Sequence, residues 1–336
     1  MKRLGIIAVI AIASLTSCTH KELCPSHHHT ARVRIDTDWS EFTVERPTGM
    51  SVNVYGEDGK IVRAALSNTL THVDLELEPG RYSALAYNQS PSEFGTLRFE
   101  SMDTWDEAAV MADYTKSLWY KSGEDEPVIF EPEWFGTDRG TGLTVTMPML
   151  EASDAIRRTK AADFPMSNVI ATLTPKNVIY TITVRVRIQG IHNLKAARAS
   201  LNGLAAGFLL GQGHQSAATG TQLLEEWTLT RDSSDPTIGW IKAVIASFGL
   251  PHGHKGQAAE NTLSLSLLLV DNKTKLDFSF PVGDSFRKNA DSELELSIEK
   301  ELEDRLPDVK PENGSDSGFD ATVDDWGDEE IIDIPV

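Results

Sequence analysis

The stretch VIYTITVRVRIQG, residues 178–190, carries Ile179, Ile182, Val184, Val186 and Ile188. From Ile182 onward the apolar residues take every even position, and Arg185 and Arg187 stand between them. A period of two sends alternate side chains to opposite faces of a strand, whereas a helix would scatter the same residues around its girth. β-branched residues also suit a half-buried pleated surface. The stretch therefore reads as a strand with one face in a core and one in solvent.

The same pattern recurs in both directions. ARVRID, residues 31–36, alternates Val33 and Ile35 with Arg32, Arg34 and Asp36. MSVNVYGEDGKIVRAAL, residues 50–66, predicts a hairpin turned at Asp58-Gly59, and THVDLELEPGRYSALAYN, residues 71–88, a second one turned at Pro79-Gly80. Downstream, LNGLAAGFLL (201–210), the hairpin NTLSLSLLLVDNKTKLDFSFPV (261–282) and DSELELSIEK (291–300) continue the sheet signal. Helical signals are sparse. SMDTWDEAAVMADYT (101–115) predicts a helix capped by Asp103 or Thr104, and EASDAIRRTKAADFP (151–165) reads either as a short helix or as a loop linking two domains. The expected fold is all-β: two β-sandwich domains in series, residues 31–164 and 165–306, with a few short helices.

Composition narrows the function. The 336 residues are 40% hydrophobic and 24% charged, the balance of a folded globular chain, with room for about two domains. A formal net charge of −19 argues against nucleic acid or anionic lipid as a partner, since either polyanion would repel it.

The amino terminus has the form of an export signal, residues 1–17. Lys2 and Arg3 precede an apolar run from Leu4 to Leu15. A dozen helical residues span roughly 18 Å, well short of the ~30 Å hydrocarbon core, so the run is too short to stay in a bilayer. It ends in Leu15-Thr16-Ser17-Cys18, which resembles a bacterial lipobox. That resemblance implies a mature chain beginning at a lipidated Cys18, held to a membrane by several acyl chains. Residues 18–30 form the tether. Cys24 is then the only remaining thiol, so no internal disulfide framework is expected. Cys24 with His27, His28 and His29 offers soft and borderline donors, but adjacent histidines in a polar tether carry no fixed geometry, and no metal is assigned to them.

Taken in order, the lipobox, HKELC with its histidines, LEPGRYSALAYN, PKNVIYTITVRVRIQGI and ASLNGLAAG resemble the fimbrillin-like lipoproteins of Bacteroidales, in particular a subfamily related to the minor pilins that anchor type V pili. The resemblance runs over nearly the whole mature chain. It implies two transthyretin-like sandwiches, an outer-membrane lipoprotein, pilin or fimbrillin partners met by strand addition, and neither enzyme activity nor cofactor. It also brings an expectation about processing. Polymerising fimbrillins lose their first strand by cleavage after an arginine, and here the first inter-strand loop offers Arg46 followed by Pro47, a bond that trypsin-like proteases cut poorly. Retention of the first strand is expected, as in an anchor or terminal subunit.

Other functions find less support in the residues. No G-x-S-x-G elbow, H-E-x-x-H or P-loop occurs. The glycines of GLAAGFLLGQGHQS (203–216) read as sites of close packing, His252 and His254 as residues of a loop, and Glu131 and Glu133 as solvated. The alternative function is a surface lipoprotein that binds glycan, for which Trp105, Trp119, Trp134, Trp227 and Trp240 would have to expose two or three indoles on one face. Residues 291–336 hold 17 acidic against 3 basic residues, a solvated tail by charge. Asp316, Asp320, Asp324 and Asp325 are oxygen donors of the kind calcium takes, but no ligand loop of recognised spacing surrounds them. Residues 307–336 read as an acidic linker and a terminal strand in which Ile331, Ile332 and Ile334 are the partner-strand residues, either paired with their own second domain or donated to a neighbour.

Overall fold

A computed structural model of the chain describes residues 29–120, 126–159, 168–251, 256–290 and 292–311. The amino-terminal half runs through β1 (Ala31–Thr37), β2 (Met50–Gly56), β3 (Ile61–Ser67), β4 (His72–Leu77), β5 (Gly80–Asn88), β6 (Leu97–Glu100), β7 (Ala109–Ala112) and β8 (Gly136–Val145). Helix α1 (Met147–Thr159) comes next, then β9 (Asn168–Leu173) and β10 (Lys176–Asn177). The carboxy-terminal half contains β11 (Tyr180–Gln189), β12 (Leu194–Ala205), β13 (Gly207–Leu209), β14 (His214–Gln215), β15 (Thr219–Leu224) and β16 (Thr228–Arg231). It ends with β17 (Ile238–Ser247), β18 (Thr262–Leu269), β19 (Lys275–Pro281), β20 (Arg287–Lys288) and β21 (Glu295–Glu301).

These strands stack as two sandwiches. In the first, the sheet β4-β1-β9 covers the sheet β10-β8-β5-β2-β3. Val33 and Ile35 of β1 and Val73 and Leu75 of β4 meet Val52, Val54, Ala84, Ala86 and Val145 across one core. In the second, β16-β17-β11-β21-β20 covers β15-β12-β18-β19. The even positions of β11 (Ile182, Val184, Val186 and Ile188) are fully buried there against Leu201, Leu263, Leu265 and Leu267. Arg185 and Arg187 face outward and pair with Glu299 and Glu301 of β21. The alternation read in the sequence is thus the alternation of the fold.

A third core joins the two sandwiches. The small sheet β14-β13-β7-β6 takes β6 and β7 from the first half and β13 and β14 from the second, with Phe208 opposite Val110. Tyr87, Phe94, Phe99 and Phe135 form an aromatic cluster with centroids 5.4–5.9 Å apart, and Phe208 and Phe248 of the second half pack into the same core. Gly207 is required at this junction, because a Cβ there would lie far inside contact distance of Met111 Sδ and the Val110 carbonyl oxygen. The close-packing role expected for the glycines of residues 203–216 is met at this position.

The structure corrects two local expectations and bears on a third. Residues 101–115 are turns leading into β7, not a helix: Ala108, Ala109, Val110, Met111 and Ala112 are all buried and β7 is paired on both sides, so the run lacks the alternation that would have marked a strand. Residues 71–88 are not a hairpin. β4 pairs with β1 in one sheet and β5 with β2 and β8 in the other, so the Pro79-Gly80 turn carries the chain across the core. Third, residues 168–177 hydrogen-bond with the amino-terminal sheets, β9 parallel to β1 and β10 antiparallel to β8. We therefore propose to draw the division between the halves after Asn177 instead of at 164/165. Residues 151–159 are helical, the first of the two readings left open for them.

Candidate functional site

The first strand is the feature on which assembly by strand exchange would act, and its setting is specific. β1 occupies the middle of its sheet, antiparallel to β4 (Val33 opposite Leu75, Ile35 opposite Val73) and parallel to β9. Across the first register the Arg34 guanidinium grips Asp74 with two bonds, at 2.8 and 3.0 Å. Helix α1 clasps the strand's beginning. The Arg32 N–H donates to Ser153 Oγ at 2.9 Å, and Arg157 donates to the Thr30 carbonyl at 2.8 Å while pairing with Glu76 of β4 at 3.1 Å. Burial pushes the Glu76 carboxyl upward, but Arg157, helped by the Thr30 hydroxyl, outweighs this and holds its pKa below the usual carboxylate range.

The loop after β1 folds back onto the sandwich. Phe42 is buried, meets Trp39 edge-on at 5.9 Å and lies against the backbone of Gly136, where a Cβ would stand only 2.5 Å from Phe42 Cδ2. Within the loop Arg46 is exposed and Pro47 is buried.

Strand addition also needs an unpaired edge. Several edges are short or blunted: β10, β14 and β20 have two residues each, and β19 ends in Pro281. The outer side of β15 is occupied, with the Ile129 N–H bonded to Thr221 O at 3.0 Å and the Thr221 N–H to Pro127 O at 2.9 Å. β3 is different. It has seven residues, contains no proline, and exposes Val62 (43%) and Leu66 (67%).

The remaining residues singled out in the sequence fall into two groups. Cys18, Cys24, His27, His28, His252, His254, Asp316, Asp320, Asp324, Asp325, Ile331, Ile332 and Ile334 lie outside the described residues. Among the described residues no three His, Cys, Asp or Glu side chains cluster as metal ligands, and no helix is long and apolar enough to cross a membrane. Glu131 and Glu133, expected to be solvated, are both engaged with backbone. Glu133 accepts from the Gly95 and Thr96 N–H groups at 2.9 and 2.8 Å, and Glu131 accepts from the Ala246 N–H at 2.8 Å. Desolvation raises the Glu131 pKa, and the Glu226 charge adds to the rise. Trp227 is buried, Trp105 packs edge-on against Tyr55 at 5.4 Å, Trp134 packs on the junction core, and Arg185 stacks 4.4 Å from the Trp240 ring. These indoles do not form one exposed face. Sequence reasoning missed the clasp from α1, because Ser153 and Arg157 act on Arg32, Thr30 and Glu76, which lie 81 to 127 positions away.

Fold and strand setting together define a two-sandwich all-β protein. The chain belongs to the family described as "Domain of unknown function (DUF5119)", whose profile matches residues 17–225. In structure it is similar to a candidate adhesin from Bacteroides ovatus ATCC 8483, with 14% identity over 88% of this chain and 99% of the other and a TM-score of 0.52. A candidate adhesin from Bacteroides thetaiotaomicron (9% identity, 75% and 81% coverage, TM-score 0.47) and the fimbrial anchor protein Mfa2 from Porphyromonas gingivalis (11%, 80% and 90%, 0.48) are more distant in fold. No curated protein matches the sequence. The likeness to the Bacteroides ovatus structure is one of fold, the all-β architecture expected from the sequence.

Proposed function

We propose that the protein is a non-catalytic fimbrial anchor or accessory subunit in adhesion, tied to the outer membrane by acyl chains on Cys18 and joined to other pilin or fimbrillin subunits by strand addition. The observation that carries this reading is the clasped first strand. β1 is bonded on both edges and held by α1, and the exposed Arg46 is followed by a buried proline, so the groove that a donated strand would enter is filled by the chain's own residues. A subunit in that state ends or anchors a fibre and does not extend it from this groove. The edge of β3 beyond Ile61, whose own N–H is bonded to Asp103 O at 3.0 Å, or a terminal strand made by Ile331, Ile332 and Ile334, then provides the contact to the neighbour. The fold shared with a candidate adhesin supports the same reading.

The test is the mature protein taken from outer membranes. It is expected to start at an acylated Cys18, to retain β1 and to co-purify with pilin subunits, while Cys18→Ala folds but no longer sediments with membranes. A mature chain beginning near Pro47, or a Cys18→Ala protein still membrane-bound after a salt wash, would refute the proposal.

A further inference from the structure

A cleft of about 520 Å³ opens beside the junction of the two sandwiches, where residues 115–119, residues 129–131 and the end of β15 meet. That volume lies in the range of small-molecule sites. Its wall contains Trp119 in a fixed orientation. The indole Nε1–H donates to the Glu225 carboxylate at 2.7 Å, Tyr120 meets the ring edge-on at 5.8 Å, and the Arg198 guanidinium lies 4.5 Å from its centroid. Arg198 is itself buried and does not line the cleft, so it backs the indole while another side of the ring forms the wall. A ring held by three neighbours loses little freedom when a ligand stacks on it.

Two further features accompany the indole. Leu118 and Phe130 are exposed by 76% and 40% at the same cleft, although Ile129, next to Phe130, is buried in the junction core. Glu131 and Glu225 add carboxylates. One oxygen of Glu131 is taken by the Ala246 N–H, and a carboxylate has acceptor capacity beyond a single such bond.

We propose that this cleft binds neutral sugar units of a glycan, with the C–H face of a pyranose against Trp119 and Phe130 and its hydroxyls donating to Glu131 and Glu225. A sugar ring has an apolar face and a rim of hydroxyl donors, which matches an aromatic wall set between acceptors. Among the described lining residues two carboxylates face one cation, Lys116, and the Arg198 guanidinium is held behind the indole, a balance that does not select an anionic ligand. A partner's β-strand does not fit here, because the neighbouring edge of β15 is already bonded to residues 127–129. The site goes beyond the assembly role proposed above and needs neither the acyl anchor nor a donated strand, so its failure and the failure of that role are separate results.

Affinity electrophoresis of the full mature chain through gels containing mannan, dextran, xylan or polygalacturonate tests the inference. At least one neutral polymer is expected to retard the protein. Trp119→Ala and Glu131→Gln should each weaken that retardation by about tenfold in affinity, a loss of about 1.4 kcal/mol, whereas Trp240→Ala, on the outer face of the second sandwich, leaves it unchanged. Should Trp119→Ala fail to fold, Phe130→Ala, which alters an exposed ring, replaces it and is expected to weaken binding likewise. Absence of retardation by every neutral polymer, retardation by polygalacturonate alone, or wild-type retardation of folded Trp119→Ala or Phe130→Ala would overturn the inference.

Discussion

The two sandwiches share one plan, yet the plan leaves their first strands with different fates. In each, the first strand is central, antiparallel to a middle strand and parallel to one of the later ones: β1 between β4 and β9, β11 between β17 and β21. β11 has ten residues in a five-stranded sheet and is joined to β10 by a two-residue connection. β1 has seven residues in a three-stranded sheet, is the first of the described strands and precedes a loop with an exposed arginine. One cut in that loop would free β1 and leave all other connections intact, whereas β11 is covalently continuous with strands on both sides. Among the described strands, β1 is therefore linked covalently to one neighbour and β11 to two. The clasp from α1 is found on the strand with the single link.

The largest test of this contrast is the pair Ile35→Ala and Ile182→Ala, each removing a fully buried side chain from the central strand of its sandwich. Each is expected to cost about 2–5 kcal/mol in urea unfolding. Hydrogen exchange separates them: Ile35→Ala should speed exchange in β4 and β9 first, and Ile182→Ala in β17 and β21. Equal acceleration of both halves by Ile35→Ala would mean that the sandwiches open only together, and the contrast would fail.

A smaller effect is expected from Gly207→Ala, which overfills the β7–β13 contact. A cost of about 1–3 kcal/mol is expected. Because the added methyl meets Met111 and the Val110 carbonyl across the junction, calorimetry of the variant should resolve two transitions, one for each sandwich. A single, merely lowered transition would indicate that the aromatic cluster couples the halves without this strand pair.

The smallest is Arg157→Ala. It removes two partly exposed ion pairs, with Glu76 and Asp154, and a bond to Thr30, about 1 kcal/mol together, and should speed proteolytic release of β1 without changing exchange in the second sandwich. Glu76 supplies a pH signature. Its native pKa is lowered, so the unfolded state binds the proton more readily, and the stability it contributes is full above the ordinary carboxylate value near 4.5 and lost as pH falls through the lowered native value. The difference between wild type and Arg157→Ala should therefore be largest near neutral pH and shrink in acid. A difference independent of pH would assign the clasp to the Thr30 bond alone.

Much of the fold is legible in the residue pattern. Val33 and Ile35, or Ile182 through Ile188, declare their inward face by spacing alone. The junction is not legible, because Ala108 to Ala112 are buried on every side and an unbroken apolar run is shared by strands and helices. Nor is the partner of β4, since a tight turn after an alternating strand serves a hairpin and a crossing between sheets equally well. In the candidate site Arg46-Pro47 can be read directly, while Ser153 and Arg157 give no local signal.

By itself the sequence determined which residues face inward along each strand, the acidity of the surface, and the form of the amino terminus. Those are local properties: side-chain direction comes from the backbone period, and charge from composition. Only the tertiary structure decided that β1 lies parallel to β9 more than 130 residues away, that α1 closes over its start, and that Trp119, Phe130 and Glu225 share one cleft. Neighbour choice is set by the free energy of burying whole sheets together, a sum over distant residues that no short window of the chain contains.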